Sequence, residues 1–250
     1  MKVIGFLSNM AASSVSLGRG VACNPAARKP ALALLLYDME GCPFCRIVRE
    51  ALTALDLDAM IQPCPRGGRR FRPQVREMGG KEQFPYLVDP NTGVSLYEST
   101  DIIDYLYTTY GGRAVLSPLQ LKLVNLPTSF AASVLRAGSG LRKRPASVPD
   151  EPLELWSFEG SPFARPVRER LCEMEIPYLL HNVGRTVWQD WVPPPVRTRL
   201  IPDYQPTEHN RVELLAHAGH VQVPYLYDPN TDYGLFESAD ILAYLDEVYG

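Results

Sequence analysis

YDMEGCPFCRIVREALTALDLD (37–58) and WSFEGSPFARPVRERLCEMEIP (156–177) lie 119 residues apart and keep one frame. The first holds Cys42-Pro43-Phe44-Cys45; the second holds Ser161-Pro162-Phe163-Ala164, with both sulfurs gone. A second pair of segments extends the match. PYLVDPNTGVSLYESTDIIDYLYTTYG (85–111) and PYLYDPNTDYGLFESADILAYLDEVYG (224–250) are identical at 16 of 27 positions, at an offset of 139. The chain is a tandem duplication. The offset grows by 20 between the two blocks, which puts an insertion at 187–206 in the second copy.

Each copy gives the same order of elements. ALALLLY (31–37) is a short apolar run and reads as a buried strand. Pro43 stands where proline opens a helix. Phe44, Ile47, Val48, Ala51, Leu52 and Leu55 then recur at helical spacing and predict one buried face. A strand is expected over 58–64 and a short helix around 71–79. PYLVD and VSLYE flank Pro90-Asn91-Thr92-Gly93 and predict a hairpin. Ser99 opens a last helix whose core face is Ile102, Ile103 and Leu106. The fold class is therefore α/β, β-α-β-α-β-β-α twice over, with units at 31–111 and 153–250.

Composition narrows the function. A hydrophobic content of 46% and a charged content of 21% are those of a globular protein. A net charge of −3 gives no electrostatic footprint for nucleic acid. No segment reaches the ~20 apolar residues of a membrane span. Residues 1–37 have no Asp or Glu, four Ser, and the basic Lys2, Arg19, Arg28 and Lys29. The 1–30 leader thus has the composition of an organelle transit peptide, against the plainer reading of a disordered tail. The linker, 112–152, spaces Leu116, Leu119, Leu123, Leu126 and Phe130 like a short helix and continues into a proline-bounded connector. The proline run of the insertion argues against regular helix, so 187–206 is expected to fold back as a loop carrying Trp188 and Trp191.

Five cysteines form no regular disulfide framework, but Cys42 and Cys45 form a C-x-x-C pair. Cys42 precedes the first helical turn, where free N–H groups stabilise a thiolate. Cys45, one turn on, can resolve a mixed disulfide on Cys42. A zinc site would need a second pair of ligands, and Cys23 and Cys64 are isolated, so no metal is assigned. Arg46 and Arg49 either lower the Cys42 pKa further or are solvated charges. Arg66, Arg69, Arg70 and Arg72 form a basic cluster beyond Cys64, read as an anion or acidic-partner surface or as a solvated loop. Cys64 itself reads as a half-buried residue at a strand end, with a third redox thiol as the alternative.

With its C-x-x-C at the first strand-to-helix turn, this order resembles the thioredoxin fold in its glutaredoxin-like variant. The match is closer to plant and algal proteins with two glutathione-transferase N-terminal-type domains in one chain. CPFCRIVRE, PCPRG, MGGKEQFPYLVDPNTGVSLYES, EGSPFA and QVPYLYDPNT carry it. The resemblance implies two tandem thioredoxin-like domains and glutathione as the cofactor. It implies a cis Pro85 that turns the Phe84 backbone toward a peptide ligand. Glu98 and Ser99, at the start of the last helix, would hold the γ-glutamyl group; plain helix capping is the alternative. In the second copy Ser161, Val223, Pro224, Glu237 and Ser238 complete the same frame, and the Ser161 stretch is similar to serine-type glutathione transferases. That second domain either binds glutathione without exchange or persists for its fold alone. The helical domain that follows in the family's transferases is replaced by the second repeat.

Three functions follow as expectations. The first is a glutathione-dependent thiol-disulfide oxidoreductase of the chloroplast, stromal or thylakoid-associated, acting on glutathione and on glutathionylated or disulfide-bonded proteins. The second is a non-catalytic adaptor or subunit of a larger, photosynthetic protein complex. The third is a serine-type transferase through Ser161.

Overall fold

The structure, a computed structural model, describes residues 20–112 and 139–250. The first repeat runs β1 (Leu34–Asp38), α1 (Pro43–Leu55), β2 (Ala59–Pro63), α2 (Arg72–Gly79), β3 (Tyr86–Asp89), β4 (Val94–Leu96) and α3 (Ser99–Leu106), which passes into a π-helical turn, Tyr107–Gly111. The second runs β5 (Leu153–Ser157), α4 (Ala164–Glu173), β6 (Tyr178–Asn182), α5 (Pro194–Leu200), α6 (His209–Ala218), β7 (Tyr225–Asp228), β8 (Tyr233–Phe236) and α7 (Ser238–Val248). Both repeats are thioredoxin-like units. In each, the first two strands are parallel and the hairpin is antiparallel.

The two units are not separate bodies on a tether. Their strands form one eight-stranded sheet, β4-β3-β1-β2-β6-β5-β7-β8. The junction is the antiparallel pair β2–β6, in which Met60 faces Leu179, its own counterpart at the 119 offset. Ala59 faces Leu180 and Ile61 faces Tyr178, so the pairing repeats itself about that central pair as a two-fold axis would. Joining two edge strands removes two rows of unpaired backbone groups. It also merges the cores: Leu36, Leu52 and Leu87 belong to the same buried cluster as Leu155, Leu171 and Leu226. Each of these is fully buried, and truncation to Ala at such sites costs about 2–5 kcal/mol.

The helix α1 buries Ile47, Val48, Ala51, Leu52 and Leu55, but Phe44 is 47% exposed, against the expectation for its face. Side chains of a first turn point back toward the helix N-terminus, here past the end of the sheet. Its counterpart Phe163 is exposed too.

The polar faces of α1 and α4 meet across the junction. Arg49 pairs with Glu159 at 2.9 Å and Glu40 at 3.2 Å, and also holds Asp38. Arg168 pairs with Glu40 at 3.2 Å and Glu159 at 3.1 Å. Thr53 Oγ1 accepts the Glu159 N–H, and Cys172, aligned with Thr53, accepts the Glu40 N–H. Arg46 and Arg49 are thus neither solvated nor directed at Cys42; they are buried structural charges.

Three further expectations need correction. Residues 20–30 of the leader are bound, with Cys23 N–H on Arg185 O, Asn24 N–H on Ala54 O and Ala26 N–H on Leu55 O. The connector from Ser139 onward is also bound, bridging Arg66, Glu173 and Tyr249 through backbone hydrogen bonds. The leucine-spaced part of the linker lies outside the described residues. The insertion is not without helix: its prolines open α5, where a missing N–H costs nothing, after a 3₁₀ turn at Trp188–Trp191. No helix among the described residues is long and apolar enough to cross a membrane.

Candidate functional site

Cys42 stands at the N-cap of α1, with Pro43 in the first turn and extended backbone at φ −82°, ψ 126°. It is 8% exposed, less than expected of a reactive thiol, and Cys45 is fully buried. The Cys45 thiol donates to the Cys42 sulfur. That bond is the main reason the Cys42 pKa falls to about 7, against the opposing effect of burial. The backbone N–H groups of Cys45 and Phe44 add to it. Burial, together with the same hydrogen bond, holds Cys45 well above the ordinary thiol value. One sulfur is thus poised as thiolate while its neighbour keeps the proton.

The other thiols differ in kind. Burial pushes Cys23 up to about 12, and raises Cys64 and Cys172 as well. Cys64 is completely buried rather than half-buried.

The Phe84–Pro85 and Val223–Pro224 peptide bonds are both cis. Glu98 and Glu237 precede their helices at φ 62° and 64°, with ψ 116° and 118°. A non-glycine residue at positive φ is uncommon, and such outliers gather where a ligand is held. Neither side chain caps its own helix, so the plain capping alternative does not describe them. Instead Gln83 donates to Glu98, and Gln222 to Glu237. These glutamines tie the cis-proline turn to the helix start, and the sequence reading missed them. Their signal was present: identity in both copies at the 139 offset.

In the second half, Ser161, Val223, Pro224, Glu237 and Ser238 line one cavity of about 360 Å³. Ser161 Oγ accepts the Ala164 N–H at 3.1 Å, and Ser238 Oγ donates to Phe163 O at 2.7 Å. The insertion supplies a second wall through Asp190, Val192, Pro193 and Arg197.

The basic cluster does not act as one group. Arg72 donates to the carbonyls of Cys64 and Pro65 and pairs with Glu82, and Arg70 is tied to Glu175. Arg66 and Arg69 line an open groove with Arg142, Lys143 and Arg144. Among the described residues no group of three or more His, Cys, Asp or Glu is placed to hold a metal ion.

A family model described as glutathione S-transferase, N-terminal domain, matches residues 36–114 and again 155–250. Among solved structures, a glutathione transferase of Bombyx mori is 26% identical over 34% of this chain and 39% of its own, with a TM-score of 0.29. A delta-class glutathione transferase of Nilaparvata lugens is 28% identical over 39% of this chain and 43% of its own, with a TM-score of 0.28. The chain thus spans less than half the length of each. No curated protein matches it. Two matched segments cover more than half of the sequence and coincide with the two repeats: the chain belongs to the glutathione S-transferase N-terminal-domain family and carries that domain twice.

Proposed function

We propose that this protein is a glutathione-dependent thiol-disulfide oxidoreductase working through Cys42 and Cys45. The observation that carries the reading is the placement of Cys42 at the N-cap of α1, with the Cys45 thiol one turn on and hydrogen-bonded to its sulfur, which lowers the Cys42 pKa. The Cys42 thiolate attacks the sulfur of a glutathione mixed disulfide on a protein. A Cys42–glutathione disulfide forms, and the protein leaves as a thiolate that takes up a proton. A second glutathione, as thiolate, then attacks the bound glutathione and frees Cys42, with glutathione disulfide as the product. For a protein disulfide, Cys45 attacks instead and closes a Cys42–Cys45 disulfide, which two glutathiones reduce. The frame of Phe84, Pro85, Glu98 and Ser99 suits the peptide: the Ser99 hydroxyl and helix N–H groups can take a carboxylate, and Glu98 an ammonium. The leader composition supports a plastid address, stromal or thylakoid-associated.

A second reading concerns the other half. Ser161 lines a cavity with Pro224, Glu237 and Ser238, and the insertion supplies a second wall through Asp190, Val192, Pro193 and Arg197. This favours non-covalent glutathione binding at Ser161, where no exchange is possible. Glutathione-coupled reduction of a glutathionylated peptide tests the main reading. Wild type is expected to turn over and Cys42→Ser to be inert; equal rates would reject it and leave the protein an adaptor.

A further inference from the structure

The leader stretch 20–26 and the connector stretch 140–146 form a third pair of matched segments. Gly20 and Gly140 both take positive φ, at 69° and 71°. Val21 O accepts the Arg185 N–H at 2.8 Å, and Leu141 O accepts the Arg66 N–H at 2.6 Å. Cys23 N–H donates to Arg185 O and Lys143 N–H to Arg66 O, both at 3.0 Å. Asn24 N–H donates to Ala54 O, and Arg144 N–H to Glu173 O. Each arm therefore runs along the loop that follows the second strand of the opposite repeat.

The backbone geometry is shared, but the charge is not. Where one arm reads Ala22-Cys23-Asn24, the other reads Arg142-Lys143-Arg144. Arg69 has Glu208 as its counterpart at the 139 offset. The first half thus acquires an open groove of about 810 Å³, lined by Arg66, Arg69, Arg142, Lys143 and Arg144. Duplication alone would give both halves the same charges. The basic groove instead belongs to the half that keeps its sulfurs.

All five of these side chains are exposed. Lys143 pairs with Glu175 at 2.8 Å and Arg144 with Glu173 at 3.8 Å. Arg66, Arg69 and Arg142 pair with no carboxylate among the described residues. A local excess of positive charge on a chain of net charge −3 attracts a negative partner to that one face. The groove also adjoins the thiol loop. Leu141 packs on Gly41, where an added Cβ would come within 2.6 Å of Leu141 Cδ2. Gly41 precedes Cys42 and Arg142 follows Leu141, so a chain held in the groove passes beside the loop that carries Cys42. No aromatic side chain lines the groove to stack a nucleic-acid base. Its volume is far beyond that of a single carboxylate. An extended segment rich in Asp or Glu matches both its size and its charge.

We propose that the groove between Arg66, Arg69 and the 140–146 arm docks an acidic segment of the protein whose disulfide or glutathione adduct Cys42 reduces. That the docked protein is a redox substrate rests on the reading given under Proposed function; the docking of an acidic chain does not. Exposed charges of this kind act chiefly on encounter rate and partner choice. The groove then selects the target, and the chemistry stays at Cys42.

Two labelled peptides without cysteine, one carrying a run of Asp and Glu and the other Asn and Gln in their place, are titrated into the full-length protein, following fluorescence anisotropy. Wild type is expected to bind the acidic peptide and to lose it as salt rises from about 0.01 M to about 1 M, where the screening length shrinks from about 30 Å to about 3 Å. Combined Arg66→Glu, Arg69→Glu and Arg142→Glu should weaken the acidic peptide by about tenfold or more. Arg199→Glu, an exposed charge of the second half, should leave it unchanged. Equal binding of the two peptides by wild type would overturn the proposal, as would equal losses in the triple variant and in Arg199→Glu. Tighter binding of a single-stranded oligonucleotide of the same net charge would also overturn it. In the glutathione-coupled assay, the triple variant should lose kcat/KM on an acidic glutathionylated peptide while keeping it on the mixed disulfide of glutathione and 2-mercaptoethanol. Loss on both would place the arginines in glutathione recognition and overturn the docking role. Turnover of neither substrate by wild type would reject the redox reading, and the anisotropy titration would still decide whether an acidic chain docks.

Discussion

Arg49 of the first repeat is paired at 2.9 Å with Glu159 of the second, 110 residues away, and Arg168 returns the contact to Glu40 at 3.2 Å. Each glutamate stands two residues before a site residue, Cys42 or Ser161, so the loops that carry the two sites are held by each other's helix. A charge buried in this way is costly when its partner is removed.

Glu159→Gln should therefore destabilise the whole protein by about 3–5 kcal/mol, the range for breaking a buried pair. Burial pushes Glu159 up, but the guanidiniums of Arg168, Arg49, Arg46 and Arg165 outweigh it and hold the carboxyl well below its ordinary range. A depressed acid contributes stability that is full above its unfolded value, near 4.5, and is lost as pH falls toward its folded value. Denaturant midpoints measured across pH should thus fall below pH 4.5 more steeply for wild type than for Glu159→Gln. Parallel curves would show that the pair contributes nothing.

Cys42 should titrate near pH 7, read as the pH dependence of iodoacetamide alkylation at that residue. Cys45→Ala removes the thiol that donates to it and should move the midpoint up toward the free-cysteine value of about 8.5. An unmoved midpoint would assign the thiolate to the helix start alone.

The first repeat expressed alone, residues 20–112, would expose the β2 edge and leave Glu40 and Arg49 without Arg168 and Glu159. Each copy carries both members of the crosswise pair, so two copies can rebuild the junction. Light scattering after gel filtration should report a dimer; a stable monomer would mean that the junction is dispensable.

The elements common to both repeats were legible because apolar period and turn chemistry agree along each segment; the helix that the insertion's prolines open was not. The β2–β6 junction was not. AMIQP (59–63) and YLLHN (178–182) read as ordinary strands, and nothing local says that Met60 will face Leu179. Arg46 and Arg49 occupy the polar side of an amphipathic helix, and periodicity alone assigns that side to solvent. Only the second copy, presenting matching charges, puts it inside. The candidate site residues on turns and helix starts, Glu98 and Glu237 among them, were named from the family resemblance; their recurrence in both copies follows from duplication alone. The positive φ of these two glutamates and the bracing by Gln83 and Gln222 depend on backbone geometry that sequence does not display.

The central claim is that Cys42 is the sulfur that exchanges with glutathione. Cys45→Ala is incubated with glutathione disulfide, and its intact mass and cysteine-containing peptides are measured. The account predicts one glutathionyl group, on Cys42, removed again by reduced glutathione, while Cys23, Cys64 and Cys172, all with raised pKa values, stay free. No adduct on Cys42, or one found first on Cys23, would contradict it.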